Sequence, residues 1–214
     1  MNGDPILKLF ASPKIIGLVG DPNQGKSNLL YWLISELRKT YEFNLYSYGL
    51  RCSLGEQKIF SVEELEVIRN SIVIVDEFAT LFNLDDRKEK RQIESSFRLI
   101  YHNQNVVLLC GLPDNYRKFI AAKLHAVIFK RCTISDFVNG SHVKNVALNY
   151  RGAELGSAVL NIPLDQCLVN DGDHWYNPTI PLMGQFDTKA GNPAILRQRP
   201  LQKNVTKNVL QKVE

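Results

Sequence analysis

Short apolar runs alternate with helix-period stretches through the first 130 residues of the chain. The runs at 15–19 (IIGLV), 43–48 (FNLYSY), 71–75 (SIVIV), 106–110 (VVLLC) and 125–130 (HAVIFK) predict five strands. Leu29, Leu30, Leu33, Ile34 and Leu37 recur at helical spacing and predict a helix over 26–40. A long polar helix is predicted over 86–102, opening on an Asp-Asp cap and burying Ile93, Phe97 and Ile100, with shorter helices at 62–68 and 115–124. Strands alternating with helices in this way are the signature of a parallel sheet covered by helices. After Arg131 the texture changes. Asn139-Gly140 between 134–138 and 143–150 reads as a hairpin, and further short β segments are predicted at 158–162 and 167–169.

With 214 residues the chain has room for one α/β domain and some appended structure. The division expected is a core over 1–132, a β-rich extension of the same domain over 133–186, and a basic arm or disordered tail over 187–214. A composition of 44% hydrophobic and 22% charged residues excludes global disorder and fibrous classes. The formal net charge of +4 resides in the tail, where Lys189, Arg197, Arg199, Lys203, Lys207 and Lys212 outnumber Asp187 and Glu214. Four cysteines (Cys52, Cys110, Cys132, Cys167) form no C-x-x-C pair, which argues against a zinc ribbon or a thioredoxin-type centre and for reduced thiols in an intracellular setting. No signal-peptide pattern opens the chain, and its apolar runs are far below membrane-spanning length, so a soluble, non-secreted protein is expected.

The residues with the most specific chemistry lie between the first strand and its helix. Gly20-Asp21-Pro22-Asn23-Gln24-Gly25-Lys26-Ser27, followed by Asn28, matches the G-x-x-x-x-G-K-[ST] phosphate loop, for which a chance match in a chain this long is on the order of 1%. The two glycines free the backbone to turn its N–H groups inward as an anion cradle. The start of the helix adds a positive dipole end. Lys26 would reach the β and γ phosphates of a nucleotide and the Ser27 hydroxyl would ligate Mg²⁺.

A second signal supports this one. The strand at 71–75 ends in Asp76-Glu77, and a buried strand has little reason to end in adjacent acids unless a cation or a proton needs them. Asp76 fits the Walker B role of holding Mg²⁺, and Glu77 the role of general base on the attacking water. An acid pair of this kind resembles the RecA-like, additional-strand branch of P-loop NTPases, in which 106–110 would enter the sheet between the other two strands. The absence of an N-K-x-D sequence favours ATP over GTP.

Within that branch the chain resembles the FtsK/HerA superfamily, and most closely its tectivirus-type viral genome-packaging ATPases. The resemblance covers residues 14–131 and rests on the phosphate loop, Asp76-Glu77, the helix ending in Arg98-Leu99-Ile100-Tyr101-His102-Asn103, and the strand followed by Gly111-Leu112-Pro113. It implies a ring, expected to be hexameric, that hydrolyses ATP between subunits and moves double-stranded DNA into a preformed capsid. The setting would be the host-cell cytoplasm or the virion, with a capsid vertex protein as a further partner. One departure stands out: relatives carry a polar sensor, often Gln, where this chain has Gly111, so Asn103 or Gln104 would have to substitute or the sensor would come from elsewhere.

A ring ATPase also needs a cation from the neighbouring subunit on the γ-phosphate. Arg87, Arg91 and Arg98 are candidates, with Arg98 first on resemblance. Sequence-independent DNA grip would be electrostatic, with Arg51, Lys58, Lys130, Arg131, Lys144 and the tail as candidate contacts. The Asp171–Trp175 turn reads as ordinary loop chemistry, and His102 and His125 as packing or polar surface. Two other readings remain open at this point. One is a monomeric small-molecule kinase or other metabolic P-loop enzyme, against which the lack of an Arg-rich lid counts. The other is a phage assembly or secretion ATPase, whose relatives carry a membrane span.

Overall fold

The computed structural model describes residues 5–50, 54–83, 85–133, 158–181 and 211–212. A short helix α1 (Pro5–Lys8) leads into β1 (Lys14–Val19), α2 (Lys26–Thr40), β2 (Tyr41–Glu42), β3 (Asn44–Tyr48) and β4 (Gln57–Lys58). Then follow α3 (Glu64–Val67), β5 (Ser71–Val75), α4 (Phe78–Leu81), α5 (Arg87–His102), β6 (Val106–Gly111) and a 3₁₀ turn (Pro113–Asn115). The described order closes with α6 (Lys118–Ala121), β7 (Ala126–Phe129), β8 (Leu168–Asn170), β9 (Trp175–Tyr176) and β10 (Gln211–Lys212).

Eight strands form one sheet in the order β4-β3-β5-β6-β1-β7-β8-β9. The first six run parallel, and β8 and β9 extend the sheet antiparallel beyond β7. This is the mostly parallel, RecA-like P-loop arrangement, with β6 inserted between β1 and β5 as expected of the additional-strand branch. Alternation along the strands divides the core into two layers. Ile16 and Leu18 of β1, Ile72 and Ile74 of β5, and Leu108 of β6 pack under α1 and α2. Val19, Val73, Val75, Val107 and Leu109 face α3, α4 and α5. The long apolar runs in the sequence follow directly, because strands covered on both faces have no polar side to show.

The cap read at the start of α5 is present: the Asp86 carboxylate accepts from the backbone N–H of Lys88 (2.6 Å) and Glu89 (3.1 Å). His125 packs as expected, its Nδ1 accepting from Ile15 N at 3.0 Å, while burial lowers its pKa. Asp171 closes its turn by accepting from the backbone N–H of Asp173 and His174, and no cluster of three or more His, Cys, Asp or Glu among the described residues could hold a metal. No helix among them is long and apolar enough to cross a membrane.

Two expected elements differ. The helix predicted over 115–124 shrinks to the 3₁₀ turn and the single turn of α6. The buried Tyr116 interrupts it, its hydroxyl donating to Leu109 O (2.6 Å) with Leu18 O 3.0 Å away, so tertiary anchoring overrides helical propensity. Residues 158–160, predicted as strand, are helical, with Val159 buried against the α3–α5 layer. The predicted hairpin, Cys52, Arg51, Lys144 and the tail apart from β10 lie outside the described residues. β10 pairs antiparallel with β2.

Candidate active site

The C-terminal ends of β1, β5 and β6 come together at one edge of the sheet. Because β6 lies between the other two, the loop after β1 and the acids after β5 are separated by two strand spacings, about 9.5 Å. That gap is a cleft of about 670 Å³. Pro22, Asn23, Gly25, Lys26, Ser27 and Asn28 line one wall and Asp76, Glu77, Ala79 and Thr80 the other. Gly111, Leu112 and Asn115 form its floor above β6, with Tyr31 and Leu50 completing it.

The loop has the geometry its glycines predict. Gly25 sits at φ 81°, a left-handed conformation at the N-cap of α2, and its carbonyl accepts from Leu29 N at 3.0 Å. The ammonium of Lys26 donates to Gly20 O (2.5 Å) and Asp21 O (2.8 Å), so the side chain is folded along its own loop. Burial lowers the Lys26 pKa, opposed by the carboxylates of Asp76 and Asp21. Gln24 lies in the loop but does not line the cleft, and Asn28 donates to Pro181 O at 3.3 Å.

Across the cleft, Asp76 N donates to Tyr48 O (2.9 Å), which extends the β3–β5 pairing one residue past the strand. The Asp76 carboxylate accepts from Glu77 N at 3.1 Å. Glu77 itself takes φ 50°, ψ 47°, a left-handed conformation that costs a non-glycine residue on the order of 1–3 kcal/mol. It is held there by Thr80, whose backbone N–H and hydroxyl both donate to Glu77 O at 2.8 Å. Strain of this kind persists where surrounding structure over-determines it, and here it falls on an exposed acidic residue that lines the cleft.

The structure thus brings Lys26, Ser27, Asp76 and Glu77 to one cleft and leaves other expected residues outside it. Arg98 is exposed on α5 and is not among the lining residues. Asn103 and Gln104 do not replace the missing sensor. They precede β6, a strand's length away from the cleft, where Asn103 Nδ2 donates to Glu66 O and Gln104 Nε2 to Tyr101 O. Nor is Lys130 a DNA contact: it is 1% exposed and its ammonium donates to Leu164 O and Gln166 O. Lys58 is occupied by Glu56, Ser47 and the Leu50 carbonyl, whereas Arg131 is exposed.

Gly111 has a packing reason. A Cβ there would lie 2.8 Å from the Phe78 ring and 3.3 Å from Asn115 Nδ2. The Asn115 amide therefore stands beside the place from which a side chain at 111 would extend, and it lines the cleft. Asn115 was not singled out from sequence. The signal was available in Pro113-Asp114-Asn115, a turn directly after a buried strand at the edge where its neighbours place their loops.

No protein-family model and no curated protein matches the sequence. Solved structures do. The chain superposes on the DNA-packaging ATPase B204 of Sulfolobus turreted icosahedral virus with a TM-score of 0.56 at 12% identity, covering 80% of this chain and 99% of that one. The genome-packaging NTPase B204 of Sulfolobus turreted icosahedral virus 2 in complex with AMPPCP gives a TM-score of 0.56 at 14% identity, covering 79% and 99%. The same protein with ATPγS gives 0.55 at 14%, covering 79% and 98%. The chain has the fold of viral genome-packaging P-loop ATPases. The resemblance read from residues 14–131 therefore holds at the level of the fold.

Proposed function

We propose that this chain is an ATP-hydrolysing motor that translocates double-stranded DNA and packages a viral genome into a preformed capsid. The observation that supports it most is the cleft: a phosphate cradle and an Asp-Glu pair face each other across an inserted strand. That layout suits hydrolysis, since the base and the phosphate site are two strands apart with room for water between them. In this reading Gly20–Ser27 and Asn28 hold the triphosphate, with Lys26 on its β and γ oxygens. Ser27 and Asp76 offer the hydroxyl and carboxylate oxygens that Mg²⁺ prefers, and the ion would neutralise phosphate charge there. Glu77 takes a proton from water as the water oxygen bonds the γ-phosphorus and the bond to the bridging oxygen breaks, releasing ADP and phosphate. Asn115 replaces the polar group that Gly111 cannot supply.

The ring is part of the same proposal. Arg98, exposed on α5 and away from its own cleft, suits a finger reaching a neighbour's nucleotide in a homo-oligomer, taken as a hexamer. Arg131 and the basic tail are the remaining candidate grips on the DNA backbone. The host cytoplasm or the virion is the proposed setting, and a capsid vertex protein the proposed docking partner.

Phosphate release measured with and without long double-stranded DNA tests the motor. Stimulation by DNA of any sequence, weakening as salt rises, is expected. Turnover that ignores DNA and depends on a small acceptor overturns the reading in favour of a metabolic enzyme. Mixing Arg98→Ala with Lys26→Ala subunits tests the finger. Each is expected to be inactive alone, and mixed rings are expected to regain part of the activity. No recovery removes Arg98 from the interface.

A further inference from the structure

Packed against the phosphate loop, and not among the residues that line the cleft, lies a second cation that the proposed reaction does not use. Lys130 follows β7 directly, and its backbone N–H continues the strand pairing to Val19 O at 2.7 Å. Its Cβ occupies the space beside Gly20, where an added methyl would come within 2.7 Å. From there the side chain runs under the loop, so that a Cβ on Gly25 would stand 3.5 Å from Lys130 Cε and 3.6 Å from Nζ. The ammonium is 2.7 Å from Leu164 O and 2.5 Å from Gln166 O. The ammonium thus stands against the backbone of the phosphate loop at Gly25.

An ammonium buried with only carbonyl partners is costly to desolvate, and a neutral donor in its place avoids that cost. Burial accordingly lowers the Lys130 pKa, with Asp165 opposing. A neutral amide could donate to the Leu164 and Gln166 carbonyls and brace the 163–166 segment against the loop, so the carbonyls account for a donor and the charge calls for a separate reason. The reason the geometry offers is the anion that the loop would hold. A charge this close, shielded from solvent, is weakly screened and acts on phosphate groups at Gly25 through low-dielectric surroundings.

We infer that Lys130 is a positioning and electrostatic residue of the phosphate site, whose buried ammonium strengthens binding of polyanionic nucleotide at the loop. It also ties the segment after 158 to that site: Lys130 holds Leu164 and Gln166, Ile180 N donates to Asp165 O, and Asn28 at the start of α2 donates to Pro181 O. Nucleotide in the cradle and the ammonium beneath it stabilise each other, so a bound triphosphate favours the clasped segment.

This rests on the nucleotide-binding reading of the cleft, and its test separates the two. Binding of ATP, ADP and AMP to the full chain is measured by calorimetry for the native protein, Lys130→Met, Lys130→Gln and Lys130→Arg. Lys130→Met keeps the bulk, and Lys130→Gln keeps a donor; both lose the charge. ATP affinity is expected to fall at least tenfold in both, ADP affinity less and AMP affinity least, with Lys130→Arg recovering most of the loss. Equal weakening for all three nucleotides, together with a lowered melting temperature of the free protein, reduces Lys130 to a structural brace and overturns the inference. Unchanged ATP affinity in a folded Lys130→Met or Lys130→Gln also overturns it. Failure of the native chain to bind ATP at all refutes the nucleotide reading instead.

Discussion

Glu77→Gln is expected to lower ATP turnover by about 10²–10⁴-fold, the range associated with removing a positioned general base, while leaving ATP binding intact. Glutamine preserves the shape, and the contacts that hold residue 77 run through its backbone: its carbonyl accepts from Thr80 N and Oγ1, and its N–H donates to the Asp76 carboxylate. The left-handed backbone at φ 50° is therefore retained, and only the proton acceptor is lost. Steady-state phosphate release gives the turnover, and calorimetric titration with ATP gives the affinity. Turnover within tenfold of the native rate would remove Glu77 from the chemistry. Loss of binding together with turnover would place its role in assembling the cleft. Thr80→Val probes the same support from the other side, because it deletes the hydroxyl donor and keeps the volume.

Much of this arrangement is legible from the chain itself. The phosphate loop and the acid pair follow from local pattern, because each sits at a junction where an apolar run meets polar residues at a fixed offset, whereas the insertion of β6 is implied by the resemblance to the additional-strand branch and is seen in the strand order. What sequence reading misses depends on contacts between distant segments. Lys130 looks like a surface cation at a strand end, and only the 163–166 carbonyls, more than 30 residues away, turn it inward. The helix expected over 115–124 fails for the same reason, since Tyr116 is claimed by carbonyls of β1 and β6. Asn103 and Gln104 are adjacent to β6 in sequence but belong to its wrong end. A strand's direction within the sheet, fixed by its pairing with β1 and β5, decides which of its two flanks meets the nucleotide cleft.

Direction also explains why Gly111 should resist conversion to glutamine. Gly111 ends β6 against Phe78, which is fully buried and packs its ring edge-on to Tyr116 at 4.8 Å between centroids. Gly111→Gln drives a Cβ to 2.8 Å of the Phe78 ring, and overpacking of this kind costs typically about 1–3 kcal/mol. Phe78→Ala by itself leaves a cavity between α4 and β6 and is expected to cost about 3–5 kcal/mol. The two changes share one space, so they should not add. In the Phe78→Ala background Gly111→Gln is expected to be close to neutral, giving a coupling energy of opposite sign to the separate losses. Urea unfolding of the four proteins in the cycle measures it. Additive losses would mean that the Gln side chain finds room without displacing Phe78, and that the glycine answers to something other than this ring. With coupling observed, Gly111 is explained by packing against Phe78, and Asn115, beyond the strand, is a polar residue that stands at this edge of the cleft.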